Sequence, residues 1–244
     1  MTSETYRTRI YSHYDKARQQ PLAPVTIAGL NSRATYLRRM VQQHFPVDKA
    51  AKVLDVGCGH GALIYFATQL GYSQVQGVDG SMEQVAAARL LGIGGVAEGD
   101  LNQVLSALPD ASLDVVVAFD VLEHFTREEL LPFVDQVHRV LKPGGRWIIH
   151  TPNAASPFFG SVRYGDITHE MAFTTTSLNQ LLLSSGFTRV NCFEDAPIVH
   201  GAKSALRWVI WQCFRGLMRL YSLAETGATG GVFSQNLLAV AFKR

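Results

Sequence analysis

Cysteine is scarce in this 244-residue chain: Cys58, Cys192 and Cys213 form no Cys-x-x-Cys pair and no zinc-ligand spacing. A disulfide framework and a structural zinc site are therefore not indicated. Charge is sparse as well, at 17% of residues against a usual ~25%. It is also balanced, with 22 Lys+Arg against 20 Asp+Glu, so bulk charge gives no argument for nucleic-acid binding. The opening stretch MTSETYRTRIYSHYDKARQQP lacks the apolar run of a signal peptide, and a reducing, cytoplasmic compartment is the expectation. There is no internal repeat and no low-complexity tract. What the chain does have is apolar material, 47% of its residues, enough at this length for an unstapled core.

That material comes in alternating short and long pieces. Ala34 to Phe45 has helical spacing and stops at Pro46. Short apolar runs follow at Val53–Val56, Val75–Asp79, Val96–Asp100, Leu113–Phe119 and Trp147–His150. Helical patterns separate most of them, at Ala62–Leu70, Ser81–Leu91 and Arg127–Leu141, the last stopped by Lys142-Pro143-Gly144-Gly145. Strands alternating with helices, and strands apolar on both faces, predict an open α/β sheet with mostly parallel strands, doubly wound and Rossmann-like. Beyond Pro152 the pattern loosens: a loop to Phe173, a helix at Ser177–Ser185, strands at Thr188–Phe193 and Leu237–Phe242, and a long amphipathic segment at Ser204–Leu223.

In such a sheet the ligand sits beyond the carboxyl ends of the strands. The first strand ends in Gly57-Cys58-Gly59-His60-Gly61 and runs into a helix. Glycines allow a tight turn and a close ligand approach, and the helix start offers unpaired N–H groups. The spacing is GxGxG, not the GxGxxG of dinucleotide binders. Asp55, Asp79, Asp100 and Asp120 lie at or beside four strand ends. Four carboxylates on one rim repel one another unless a cation joins them. Asp79, twenty-two residues after Gly57, is placed to accept from ribose hydroxyls. A positively charged nucleoside such as S-adenosylmethionine suits this rim better than a pyrophosphate does.

The motifs VLDVGCGHGALI, GVDGS, AEGDL, FDVLEHF, LKPGG and WIIHTPN, in that order, resemble those of class I S-adenosylmethionine-dependent methyltransferases. The resemblance implies a seven-stranded sheet with helices on both faces and the last strand antiparallel. It implies one methyltransferase domain over 1–244, made of a helical or lid region at 1–45, a cofactor-binding core at 46–150 and a substrate-facing part at 151–244. It further implies that Gly57, Gly59 and Gly61 approach the methionine part of the cofactor, and that Asp55 orients water or the ammonium group. Asp79, with Gly80 beside it, would hold the ribose. Met82 would pack on the adenine, Asp100 and the Leu101 N–H would contact its edge, and the Phe119 carbonyl would contact the ammonium group. His124 would border the cofactor or the acceptor. Leu30-Asn31-Ser32-Arg33 is similar to the start of ubiquinone-pathway O-methyltransferases, where an arginine at the position of Arg33 pairs with the cofactor carboxylate; a plain surface arginine is the other reading.

An alcohol acceptor needs help in losing its proton. Tyr164-Gly165-Asp166-Ile167-Thr168-His169-Glu170 gathers three ionisable groups in one loop of a charge-poor chain. His169 is the candidate general base, with Asp166 or Glu170 as its orienting partner. A loop clasp, or a divalent metal on Asp166, His169 and Glu170, are the alternatives, and no resident metal is expected. His124 and His150 are weaker candidates at the same rim. SPFFGSVRYGDITHEMAFT resembles enzymes of bacterial polysaccharide and sugar-modification clusters, which implies a sugar hydroxyl as acceptor. A quinone or small phenol is the alternative acceptor, and a non-catalytic cofactor-binding protein the alternative class.

The late segment places Leu206, Val209, Ile210, Cys213, Phe214, Leu217, Leu220, Tyr221 and Ala224 on one helical face, with Arg207, Arg215 and Arg219 on the other. A helix packed on the sheet or cleft by its apolar face is the plain reading. A peripheral contact with the inner membrane surface and a homodimer surface are the others. Its arginines forbid a membrane span. Tyr6, Tyr11 and Tyr14 are candidate lid or core aromatics.

Overall fold

The computed structural model describes Ile10 and residues 23–244, so Tyr6, Tyr11 and Tyr14 lie outside the described residues. Seven strands form one sheet: β1 (Lys52–Val56), β2 (Gln74–Asp79), β3 (Val96–Glu98), β4 (Leu113–Phe119), β5 (Leu141–Pro152), β6 (Arg189–Glu194) and β7 (Asn236–Phe242). Their order is β3-β2-β1-β4-β5-β7-β6. β1 pairs in parallel with β2 and β4, β2 with β3, and β4 with β5. β7 runs antiparallel to both β5 and β6. β6 therefore points the same way as β1 to β5, and all six send their carboxyl ends to one rim.

Eight helices accompany the strands among the described residues: α1 (Asn31–His44), α2 (Ala62–Gln69), α3 (Met82–Leu90), α4 (Leu101–Ala107), α5 (Arg127–Val140), α6 (Phe159–Arg163), α7 (Thr175–Ser184) and α8 (Ala202–Thr226). Side chains alternate across each strand, and both faces find cover. Leu54, Val116, Trp147 and Ile149 pack with Phe133 and Val137 of α5 and Leu178 of α7. Val53, Val115, Val117 and Ile148 face Leu37 and Val41 of α1 and Phe66 of α2. Continuous apolar strands thus encode a doubly covered sheet.

Besides the two short helices α4 and α6, which the sequence pattern does not mark, the structure departs from the sequence reading in three places. The Lys142–Gly145 stretch does not simply stop α5. β5 already pairs at Leu141↔Leu113, then resumes at Arg146↔Val115, and the bulge is held by Lys142 Nζ on Asp114 (2.7 and 2.8 Å). The strand read to Asp100 ends at Glu98, and Asp100 instead caps α4 by accepting from the Gln103 N–H (2.9 Å).

The third departure is α8. Its apolar face is turned outward, leaving Leu206, Phe214, Leu217, Leu220 and Tyr221 exposed. Its other side is set inward, with Trp211, Arg215 and Arg219 only partly accessible and Arg215 Nε 3.1 Å from Glu194. A helix packed by its apolar face is thereby corrected: the anchoring side is the arginine side. No helix among the described residues is long and apolar enough to cross a membrane.

α5 begins with a reciprocal cap, Thr126 Oγ1 accepting from the Glu129 N–H (3.3 Å) and Glu129 Oε2 accepting from the Thr126 N–H (2.8 Å). Thr126→Ala is expected to cost about 1 kcal/mol, read as a lower denaturant midpoint at unchanged m-value.

Candidate active site

The loop after β1 is built by backbone constraint. Gly57 has φ +72°, and a Cβ there would lie 2.5 Å from Cγ2 of Val121, so only glycine turns the chain without displacing the loop after β4. Gly61, at φ +78°, starts α2 in the left-handed region. Asp79 ties this loop to the end of β2: Oδ2 accepts from the Gly59 N–H (2.7 Å) and Oδ1 from the Ser81 N–H (2.8 Å).

A cavity of about 210 Å³ opens here, with Arg33, Asp55, Gly57, Gly59, Phe119 and Asp120 among its walls. Asp55 is buried, and burial followed by the nearby charge of Asp79 pushes its carboxyl up to about 8, with Arg33 opposing. A buried carboxylate beside two more acids calls for a cation, and Arg33 across the cavity offers a guanidinium to an anion. This donor set fits an amino acid's ammonium and carboxylate groups together, and so the methionine end of S-adenosylmethionine.

The other residues assigned to the cofactor are placed less uniformly. Gly80 has open space at its Cα and Met82 is exposed. Asp100 is exposed and occupied with capping α4, and Leu101 is half-buried in its first turn. His124 does not line this cavity; it lies with His169, at ring centroids 4.8 Å apart.

Two polar clusters flank Asp120, a residue at φ +56° just past β4. In the first, buried His150 bridges two acids: Nδ1 meets Asp120 Oδ1 at 2.7 Å and Nε2 meets Asp195 Oδ2 at 3.2 Å. Burial alone would lower its pKa, but the two carboxylates win and raise it to about 10. His150 is thus an imidazolium with both nitrogens engaged, which makes it a clamp between β4, β5 and the end of β6, not a base. Its folded pKa exceeds the ordinary 6.5, so its contribution to stability is full below about pH 6.5 and fades as pH rises through 10. The raised carboxyls of Asp55 and Glu123 spend their effect below about pH 8. Thermal midpoints should therefore still fall from pH 8 to 10 in the wild type, and that decline should be shallower in His150→Gln, where the thiols of Cys58 and Cys192, raised by burial, leave a remainder near pH 10.

In the second cluster, the loop carrying His169 is fastened over the 3₁₀ turn Leu122–His124. The Glu170 and Met171 N–H groups both donate to the Glu123 carbonyl (2.7 and 3.1 Å). Asp166 turns toward Thr168 within this loop. Its Oδ1 accepts from the Thr168 N–H (2.9 Å) and hydroxyl (2.6 Å), and Thr168 Oγ1 meets His124 Nδ1 at 3.0 Å. The Val162 carbonyl lies 3.1 Å from His169 Nδ1 and orients the ring. Glu170 contributes its backbone to the fastening, with its carbonyl also accepting from Arg163 Nη2 (2.8 Å). The side chains that converge are Glu123, His124 and His169, whose donor atoms all lie within 4.8 Å of one another. Glu123 is buried, its carboxyl raised to about 8 by burial and then Asp120, and Thr151 Oγ1 donates to its Oε2 (3.1 Å). His124 is held down to about 4 by burial and then His169, against Asp166 and the Thr168 backbone.

Sequence reasoning missed Glu123 and Asp195. Asp195 follows the end of β6, so the strand-end acids include a fifth. Glu123 sits in DVLEH beside the histidine that drew attention.

Comparison with known proteins agrees with this fold and with S-adenosylmethionine as cofactor. The family model described as "Methyltransferase domain" matches residues 54–149. A probable S-adenosylmethionine-dependent methyltransferase of Mycolicibacterium smegmatis is 33% identical over 183 residues, covering 72% of this chain and 67% of that protein. A ubiquinone biosynthesis O-methyltransferase of Bradyrhizobium sp. is 34% identical over 130 residues, half of each chain. The solved structure of a SAM-dependent methyltransferase from Archaeoglobus fulgidus superposes with TM-score 0.66 at 21% identity, covering 98% of this chain and 100% of that one.

Proposed function

Because this chain belongs to the family of S-adenosylmethionine-dependent methyltransferases, we propose that it methylates a hydroxyl group, most readily a sugar hydroxyl on a glycan or sugar intermediate. The observation that carries this is the Glu123–His124–His169 cluster. A neutral hydroxyl is a poor nucleophile, and an enzyme acting on one needs a group that takes up or displaces its proton. When bound, the cofactor supplies an electrophilic methyl on sulfur. The residues of this chain do the rest: the glycine loop and Asp79 set the cofactor's place, Asp55 faces its ammonium group, and His169 governs loss of the acceptor's proton.

A second reading, a quinone or small phenol as acceptor, draws on the ubiquinone O-methyltransferase relatives. It also draws on a larger cavity of about 610 Å³ beside Tyr36 and Asp195, with Met40, Trp208, Leu238 and Val240 on its walls. Incubation with methyl-labelled cofactor and a panel of sugar nucleotides, glycans and hydroxylated prenyl-phenols separates the two. Label in a sugar ether supports the first reading, label confined to phenols the second, and label in neither class removes both.

The Asp55 carboxyl, at about 8 without ligand, must ionise to hold an ammonium group. Cofactor affinity should rise about tenfold from pH 6 to 7, with proton release seen by calorimetry in buffers of different ionisation enthalpy. Asp55→Asn should flatten that dependence.

A further inference from the structure

We propose that Glu123, His124 and His169 form a binding site for a divalent transition-metal cation of the zinc class, which activates the acceptor hydroxyl; this rests on the hydroxyl-methylation reading above. The hydrogen bonds around the cluster assign its protons. A carbonyl can only accept, so the 3.1 Å contact with Val162 O puts the His169 proton on Nδ1. Thr168 Oγ1 gives its single proton to Asp166 Oδ1, so across the 3.0 Å contact the donor is His124 Nδ1. In their neutral forms both imidazoles then carry a lone pair on Nε2. One ring nitrogen each of His124 and His169 and a carboxyl oxygen of Glu123 share one small space, each within 4.8 Å of the others.

Two imidazole nitrogens and a carboxyl group turned toward one point are a ligand set that a cation can join. Two imidazoles and one carboxylate are the ligand set of catalytic zinc sites, which leave a further position for water or substrate. The outer partners match as well. Ligating histidines characteristically donate their other N–H to a carbonyl or to a group tied to a carboxylate, as His169 does to Val162 and His124 does to Thr168, itself bonded to Asp166. Thr151 steadies Glu123 in the same manner. A tetrahedral ion would hold each donor at about 2.0–2.1 Å, so the three side chains would close on it as it binds.

The acceptor oxygen would take the open position, where the cation's charge would let its proton leave to solvent; the oxygen's lone pair would then form the O–CH3 bond as the cofactor's S–CH3 bond breaks, the electron pair staying on sulfur and S-adenosylhomocysteine leaving. The residues differ from the Asp166, His169 and Glu170 set suggested by the sequence. Those were neighbours in the loop, whereas the structure brings Glu123 and His124 to His169 from beneath it.

The test uses the tag-free chain, stripped with EDTA and titrated with Zn²⁺ or Co²⁺ alone, without cofactor or acceptor. The expected result is one ion per chain, a higher thermal midpoint, and the visible absorption of four- or five-coordinate cobalt. His169→Ala and Glu123→Gln should each weaken binding by more than ~100-fold, with circular dichroism confirming that they fold. Absence of stoichiometric binding, or equal binding by wild type and variants, overturns the site. If no ion binds yet His169→Ala abolishes methyl transfer, the cation is wrong and the hydroxyl reading survives with His169 as a simple base. If the ion binds as expected but no hydroxyl acceptor is ever methylated, the site stands and the functional reading falls.

Discussion

Asp79→Ala is expected to weaken S-adenosylmethionine binding by at least ~100-fold while leaving the chain folded. Three consequences add at this one residue. The Gly59 N–H loses its 2.7 Å acceptor and the Ser81 N–H its 2.8 Å acceptor, so the glycine loop loses its tie to β2. The implied ribose contact is lost with them. Each half-buried hydrogen bond to a charged acceptor is worth about 1.5–3 kcal/mol, and ~100-fold is about 2.7 kcal/mol. One effect opposes: without the Asp79 charge, Asp55 ionises more readily, which favours a cation. That relief changes the protonation of one carboxylate, whereas the lost bonds dismantle the loop that carries Gly57 and Gly59, so the loss should dominate. Asp79→Asn retains an acceptor oxygen and should fall between, near tenfold. Calorimetric titration with S-adenosylmethionine and S-adenosylhomocysteine measures it, and unchanged affinity in Asp79→Ala would remove the cofactor from this end of the sheet.

The parts of this protein legible in its sequence are those set by local pattern. Val53–Val56 and Leu113–Phe119 read as buried strands because both of their faces are covered. The glycine loop is legible because positive φ at Gly57 and Gly61 restricts which residues can stand there. Ser81 and Asp79 act where their spacing predicts, as a helix cap and as the acid at the end of β2.

What was not legible depends on distant contacts. The bulge at Lys142–Gly145 exists because Lys142 reaches Asp114 across the sheet, and no local signal marks that pairing. α8 has the periodicity of a helix packed by its apolar side, and periodicity alone does not say which side the rest of the chain will hold; here Glu194 on β6 takes Arg215. The sequence also groups His169 with its neighbours Asp166 and Glu170, because adjacency is all a loop offers. In the folded chain a carbonyl seven residues back orients it, and its chemical companions arrive from a turn forty-five residues earlier.

That regrouping sharpens the largest catalytic effect to be expected. His169→Ala should lower turnover by at least ~100-fold with cofactor affinity within about twofold, since removal of a group that governs proton loss costs ~10²–10⁴ and His169 lies off the cofactor cavity. The Val162 bond points Nε2 into the cluster, so the loss follows whether that lone pair takes the proton itself or holds the cation that displaces it. Asp166 is now a discriminating control. Had it oriented His169, Asp166→Asn would approach the His169→Ala loss. As the acceptor for the Thr168 hydroxyl behind His124, it acts at one remove, and Asp166→Asn should cost about tenfold or less. Single-turnover rates at saturating cofactor separate the cases. Near wild-type turnover in His169→Ala would take proton management away from this loop, and equal losses in the two variants would make Asp166 the orienting partner of His169.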